Sequence, residues 1–178
     1  SSFNQSIQNW NVSAVAKMDY MFSGTPFNQP IGEWDVSSVS NMANMFKGTP
    51  FNQPIGEWDV SSVSNMANMF NKALFNHPVG NWNVSSVTNM VNMFNETPFN
   101  QPIGDWNVSS VTNMAGMFLE ASSFNQPIGN WNTSSVTDMK WMFFGTSSFN
   151  QPIGNWNFSK VTQTAGMFSG ATAFNQPI

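Results

Sequence analysis

Hydrophobic residues return along this chain at a fixed interval, and phenylalanine marks the start of each interval. Successive starts are 24 residues apart up to Phe99 and 25 residues apart beyond it. The chain therefore holds seven full units and part of an eighth, which begin at Phe3, Phe27, Phe51, Phe75, Phe99, Phe124, Phe149 and Phe174. Such self-similarity is the signature of a repeat protein, in which neighbouring units stabilise one another. We predict that residues 1–178 form one repeat solenoid, a fragment of a longer protein.

The middle of each unit has the period of a strand. In the fifth unit Trp106 and Val108 are apolar and alternate with the polar Asp105 and Asn107. An alternation of period two is typical of a half-buried strand. The pattern predicts a strand of three to five residues in every unit.

The second half of each unit has a longer period. Val111, Met114 and Phe118 recur at positions i, i+3 and i+7, which places them on one face of a helix. Ser109 or Ser110 precedes this run and has the side chain of a helix N-cap. We therefore predict two helical turns after each strand.

These elements predict an α/β fold, a right-handed solenoid with short parallel strands on one face and short helices on the other. The handedness follows from the preference of parallel strand connections. Equivalent residues should lie about 4.8 Å apart in stacked units, which buries columns of Phe, Ile, Trp, Val and Met. A column of asparagines should form an amide ladder that satisfies backbone groups; it comprises Asn28, Asn52, Asn76, Asn100, Asn125 and Asn150.

The repeat also resembles known families. Ile103-x-x-Trp106-x-Val108 matches the L-x-x-L-x-L signature of leucine-rich repeats, and the segment from Val111 to Phe118 resembles the second half of BspA-like repeats. The whole chain is similar to bacterial surface and lipoprotein repeats of about 25 residues, with a consensus near FNQ-x-I-x-x-W-[ND]-V-S-x-V-T-N-M-x-x-M-F. This resemblance implies a curved leucine-rich-repeat-like solenoid, a secreted or surface-anchored location and a role in attachment. It implies no catalytic residues.

Composition narrows the class of partner. Only 8% of the residues are charged, the five basic residues are all lysine, and the net charge is −4. Nucleic acids and anionic membrane surfaces attract basic clusters, so neither is an expected partner. No apolar run approaches the roughly 18 residues of a membrane span, and direct membrane insertion is not expected.

No group of residues predicts an enzyme. The single histidine, His77, replaces a glutamine of the repeat and has no nucleophile or acid paired with it by spacing. The serines and threonines occupy cap and turn positions, and the methionines have the spacing of core residues. A repeat presents equal groups in lines, whereas catalysis needs different groups that converge on one point. We expect no cofactor, except for the calcium considered next.

Acidic residues are candidates for ligand binding because they vary between units. The residues that flank each tryptophan should point to the open face of the predicted sheet. In two adjacent units these are Glu33, Asp35, Glu57 and Asp59, and Asp105 is a fifth carboxylate in the same columns. Four stacked carboxylates are either kept apart by solvent or neutralised by calcium or by a basic ligand. Asparagines in these columns could hydrogen-bond glycan hydroxyls, or could equally serve solubility.

Aromatic residues replace polar ones on the predicted helix face. Trp141 and Phe144 lie three residues apart, and Leu119 occupies the column of Phe144 in the preceding unit. Exposed aromatic patches mark partner contacts, although contact with a loop would produce the same pattern.

The function expected from the sequence is non-catalytic. We predict an extracellular or cell-surface scaffold for binding or adhesion, whose open sheet face contacts an extracellular protein or a glycan. The alternative is a structural spacer that holds other domains away from the cell surface.

Overall fold

The computed structural model describes residues 2–178, and none of them lies in a helix or in a strand longer than one residue. Within residues 2–178 the only β pairing is a line of isolated parallel bridges, one residue per unit, that joins Lys17, Asn41, Asn65, Asn89, Asn113, Asp138 and Gln163 in order. The predicted α/β solenoid with strands on one face and helices on the other is therefore wrong. The chain instead forms stacked units that are built almost entirely from turns.

Two tight turns replace the predicted strand. In the second unit the N–H of Trp34 donates to the carbonyl of Ile31 at 3.2 Å, and the N–H of Val39 donates to that of Val36 at 2.9 Å. Only Asp35 separates these two turns, so the backbone around the tryptophan cannot extend as a strand. The alternation of apolar and polar residues still places Trp34 and Val36 inside and Asp35 outside.

A run of turns replaces the predicted helix, and we call this segment the turn ribbon (residues 41–49 in the second unit). Asn44 and Gly48 have φ angles of 60° and 67°, and both columns repeat this left-handed conformation along the chain. An α-helix needs φ near −60° at every residue, so two left-handed residues four apart exclude it. Asparagine and glycine are the residues that adopt this conformation most readily, and they fill most of both columns.

The turn ribbon bonds in two directions. Alternate N–H groups donate to the following unit at 2.8–3.0 Å, from Met42, Asn44, Phe46 and Gly48 to the carbonyls of Asn65, Ala67, Met69 and Asn71. The N–H groups between them turn back within the unit, as Met45 does onto Met42 at 3.2 Å. The predicted N-cap serines have a different role, because the N–H of Ser109 donates to Oδ1 of Asn107 at 3.2 Å. Each unit is therefore held both internally and by its neighbour.

The core consists of continuous aromatic columns, and the predicted burial of Phe, Ile, Trp, Val and Met is confirmed for most units. Trp58, Trp82 and Trp106 are each 3% exposed. Phe46 stacks on Phe51 at 3.9 Å between ring centroids, and this pair recurs at every junction between units. The tryptophan column is the exception at the first unit, where Trp10 is 54% exposed although Val12 and Phe22 are buried.

The predicted asparagine ladder is confirmed. Oδ1 of Asn28 accepts the backbone N–H of Asn52 at 2.9 Å and Nε2–H of Gln53 at 3.2 Å. A second ladder was not predicted: the indole N–H of Trp58 donates to the carbonyl of Ile31 in the preceding unit at 3.1 Å. Each unit thus contributes polar as well as apolar contacts to the next.

Candidate functional site

The four clustered carboxylates fall into two pairs with different surroundings, although all are exposed. Oδ1 of Asp35 accepts the N–H and the hydroxyl of Ser37 at 3.1 and 2.6 Å, and Asp59 occupies the equivalent turn. Glu33 and Glu57 lie in the turn before the tryptophan and line a groove. The aspartates therefore stabilise the local backbone, and the glutamates face solvent in the groove.

The hydrogen bonds change the acidity of the aspartates. The hydroxyl and then the N–H of Ser37 hold the pKa of Asp35 below its ordinary value. Ser61 lowers the pKa of Asp59 in the same way, against a weaker opposing effect of burial and of repulsion from Asp35. Both aspartates are thus charged at neutral pH and contribute to the negative potential of this side of the stack.

A calcium site at Glu33, Asp35, Glu57 and Asp59 finds no support in the arrangement. Among residues 2–178 no three Asp, Glu or His side chains are grouped so that they could hold a metal ion. Oδ1 of each aspartate is already engaged by a serine. Calcium at these four residues stays a prediction from the sequence alone.

A long groove runs along the stack beside the tryptophan column. One proline, one glycine and one polar residue of each unit line it, and in the second unit these are Pro30, Gly32 and Glu33. Three adjoining cavities of about 370, 210 and 480 Å³ extend it from Pro30 to Pro177. We call this feature the proline–glycine groove. It crosses every unit from the second to the partial eighth.

Glycine is required in the groove by close packing between units. A Cβ at Gly129 would lie 2.5 Å from the carbonyl oxygen of Pro152 in the next unit, and one at Gly80 would lie 2.8 Å from that of Pro102. Neither distance can be accommodated without backbone movement. The glycine column therefore lets consecutive units approach and gives the groove a continuous backbone surface.

Every charged residue that lines the proline–glycine groove is acidic. Glu33 and Glu57 lie in adjacent units, and Asp105 lies two units further along. The equivalent residues of the other lining units are asparagines. None of the five lysines of the chain lines the groove.

Two residues of the predicted aromatic patch, Trp141 and Phe144, lie beside the same glycine, but on turns and not on a helix. Trp141 is 47% exposed and left-handed, with a φ of 57°, in a column otherwise held mainly by Asn and Gly. Its ring lies over Gly166, where a Cβ would be 2.7 Å from Trp141 Cδ1 and 3.8 Å from Phe144 Cδ2. Leu119 and Phe144 are half-buried. Lys140 lies 5.5 Å from the centre of the Trp141 ring.

The repeat itself matches a known family along the chain. The family described as "Mycoplasma protein of unknown function, DUF285" matches residues 1–77 and again residues 71–178. The chain belongs to this family. No curated protein and no solved structure matches it. The double match supports the repeat organisation of this DUF285 chain.

His77 has a structural place in the DUF285 repeat. Its Nε2 lies 3.1 Å from the carbonyl oxygen of Asn52, where other units place a glutamine amide. The imidazole therefore substitutes for one of the two bonds of the asparagine ladder.

Sequence reasoning missed the proline–glycine groove, although its residues recur in every full unit after the first. The signal was the tripeptide Pro-Ile-Gly (Pro-Val-Gly in the fourth unit), followed by a polar position that varies. In addition, no helix among the described residues of the DUF285 chain has the length and apolarity needed to span a bilayer.

Proposed function

We propose that this chain is a non-catalytic, extracellular scaffold that binds a macromolecular partner along the proline–glycine groove. The observation that carries the proposal is the continuity of the groove, which three adjoining cavities extend from Pro30 to Pro177. Enzyme sites bring different groups to one point, whereas this groove presents the same kinds of group in lines. A long ligand can make the same contact many times on such a surface.

The surface location rests on resemblance. The repeat resembles BspA-like and bacterial surface-protein repeats, which implies a secreted or surface-anchored protein used in attachment. The predicted contact through an open sheet face is wrong, because residues 2–178 form no sheet. The groove replaces it as the proposed contact surface.

An array of extracellular-matrix proteins and glycans tests the proposal. We expect the labelled chain to bind members of one class, and to bind them less when Asn81→Trp and Asn130→Trp fill the groove. Both positions are exposed and line the groove. Trp141→Gly is the matched control, because Gly116 and Gly166 occupy the same left-handed column in other units.

If the chain binds no member of the array, the alternative function is favoured, which is a spacer that holds other domains off the cell surface. The unbroken columns of stacked rings and hydrogen bonds suit a stiff spacer equally well. If Trp141→Gly loses binding and the filled-groove variant keeps it, the contact surface is the aromatic patch and not the groove.

A further inference from the structure

We infer that the proline–glycine groove binds an extended polypeptide that carries lysine or arginine at alternate positions. The inference rests on the proposed function and adds the chemistry of the ligand. Its basis is the combination of an apolar channel with carboxylates at unequal intervals along one side.

The charge of the groove selects a cationic ligand. Glu33, Glu57 and Asp105 line it, and no basic residue does. Asp35 and Asp59 lie one residue beyond the tryptophans in the units of the two glutamates and add to the negative potential. An anionic ligand would be repelled along most of the first half of the groove.

The other lining atoms suit the stems of basic side chains. Pro54 and Pro78 are exposed and present ring carbons, and glycines such as Gly56 present backbone without a side chain. Lysine and arginine lay their methylene stems on apolar surface while the charged head reaches an acid. A neutral glycan would leave the carboxylates unpaired, which favours a basic peptide.

The spacing of the carboxylates fits an extended chain. The tryptophan column beside the groove repeats at 6.2–6.5 Å per unit. Glu57 lies one unit and Asp105 three units beyond Glu33, which places them about 6 Å and about 19 Å along the groove. Alternate side chains of an extended peptide are about 6.6 Å apart, so residues i, i+2 and i+6 of the peptide, at about 0, 7 and 20 Å, can each meet one carboxylate. Nine extended residues span about 26 Å, which is long enough to reach all three carboxylates.

The test uses a fluorescent nine-residue peptide of alternating Lys and Ser, with Gln-Ser and Glu-Ser peptides as controls. We expect the intact chain to bind only the Lys-Ser peptide, and to bind it more weakly as salt is raised. Glu33→Gln, Glu57→Gln and Asp105→Asn together should weaken binding between about threefold and a hundredfold, since exposed ion pairs are individually weak.

A charge-matched variant separates the groove from the overall charge. Asp19→Asn, Glu96→Gln and Glu120→Gln remove the same charge from residues that do not line the groove. This variant should bind the Lys-Ser peptide within about twofold of the parent. Adding acid to the groove by Asn81→Glu should tighten binding, and it should not disturb the fold because Glu57 occupies that column in the preceding unit.

The outcomes separate this inference from the proposed function. Two results would contradict the inference that the groove selects positive charge. One is equal weakening of binding in the two triple variants, and the other is equal binding of the Gln-Ser and Lys-Ser peptides. Absence of binding to the Lys-Ser peptide would do the same. If the array then showed a neutral glycan whose binding depends on the filled groove, the proposed function would stand with a different ligand. If the chain binds neither the Lys-Ser peptide nor any member of the array, both proposals are wrong.

Discussion

At the scale of single residues, the backbone conformation depends on which residues tolerate a left-handed φ. Asn68 has a φ of 55° and Gly145 a φ of 66°, and both residue types adopt this region at little cost. Trp141 and Tyr20 have φ angles of 57° and 60° with bulky side chains, which costs on the order of 1–2 kcal/mol each. The neighbouring units hold these two residues in a conformation that they would not choose alone.

The aspartate turns predict a pH dependence of stability. Hydrogen bonds from Ser37 lower the folded-state pKa of Asp35, and those from Ser61 lower that of Asp59. A lowered folded pKa contributes stability that is fully present above the unfolded pKa of about 3.9 and is lost as the pH falls through the folded pKa. We expect Asp35→Asn with Asp59→Asn to lose less Tm between pH 7 and pH 2.5 than the parent does.

The chain supplies the reason why this variant should fold. Asn83 accepts the same two bonds from Ser85, at 3.2 Å from the N–H and 2.7 Å from the hydroxyl. Glu33→Gln with Glu57→Gln is the control, because these carboxylates accept no hydrogen bond from the described residues. Thermal melts followed by circular dichroism give the measurement. Superimposable Tm curves for the parent and the aspartate variant would contradict the prediction.

At the scale of the elements, the sequence predicted which residues face inward but not the shape of the backbone. Val111, Met114 and Phe118 are all buried, as the helical pattern required. A run of turns with a left-handed residue every four positions buries nearly the same residues as a helix of period 3.6. Over eight residues these two periods cannot be separated. The asparagines and glycines at the left-handed positions carried the missing information.

The strand prediction failed for a related reason. Trp106 and Val108 alternate with polar residues because they point inward from a turn junction, and alternation alone does not require an extended backbone. The site was only partly accessible from the sequence: the acidic columns were identified, but the groove depends on the approach of consecutive units. That approach is visible only once the units are stacked.

The glycine column allows a matched test of this close approach. Gly129→Ala should destabilise the fold by roughly 1–3 kcal/mol, because its Cβ would lie 2.5 Å from the carbonyl oxygen of Pro152. Gly154→Ala should cost much less, since its Cβ would meet the oxygen of Pro177 at 3.5 Å, an ordinary contact distance. Urea unfolding of the two variants measures the difference. Equal destabilisation would show that packing between units does not require the glycine.

At the scale of the whole molecule, stability depends on contacts between adjacent units. The Phe46 column continues through Phe70 and Phe94 at 5.7 Å per step. The isolated parallel bridges and the asparagine ladder link the same adjacent units. Since these contacts join adjacent units, damage at one level should divide the stack into two halves.

Two tryptophans test this view of the stack. Trp106 is 3% exposed, and its indole N–H donates to the carbonyl of Val79 at 3.0 Å. Trp106→Ala should cost about 3–5 kcal/mol, as large aromatic truncations in cores do. Unfolding should also broaden or split into two transitions, because the halves on either side are no longer coupled.

Trp10→Ala is the control for the same chemical change at an exposed position of the first unit, where the side chain is 54% exposed. It should change the free energy of unfolding by no more than about 0.5 kcal/mol. Denaturant titration followed by circular dichroism, together with hydrogen exchange, measures both effects. A single sharp transition in Trp106→Ala at the parental midpoint would show that this column does not couple the units.

The connection between units has a consequence for how genes of this kind can change. Units of 24 and 25 residues coexist because the extra residue falls in the connection, where the N–H of Phe124 bonds to the carbonyl of Ala121 and that of Phe51 bonds to the hydroxyl of Thr49. Duplication or loss of one whole unit would recreate equivalent contacts at the new junction. Unequal recombination between copies of the repeat could therefore lengthen or shorten the protein in heritable steps of one unit, and could carry the acidic positions with it.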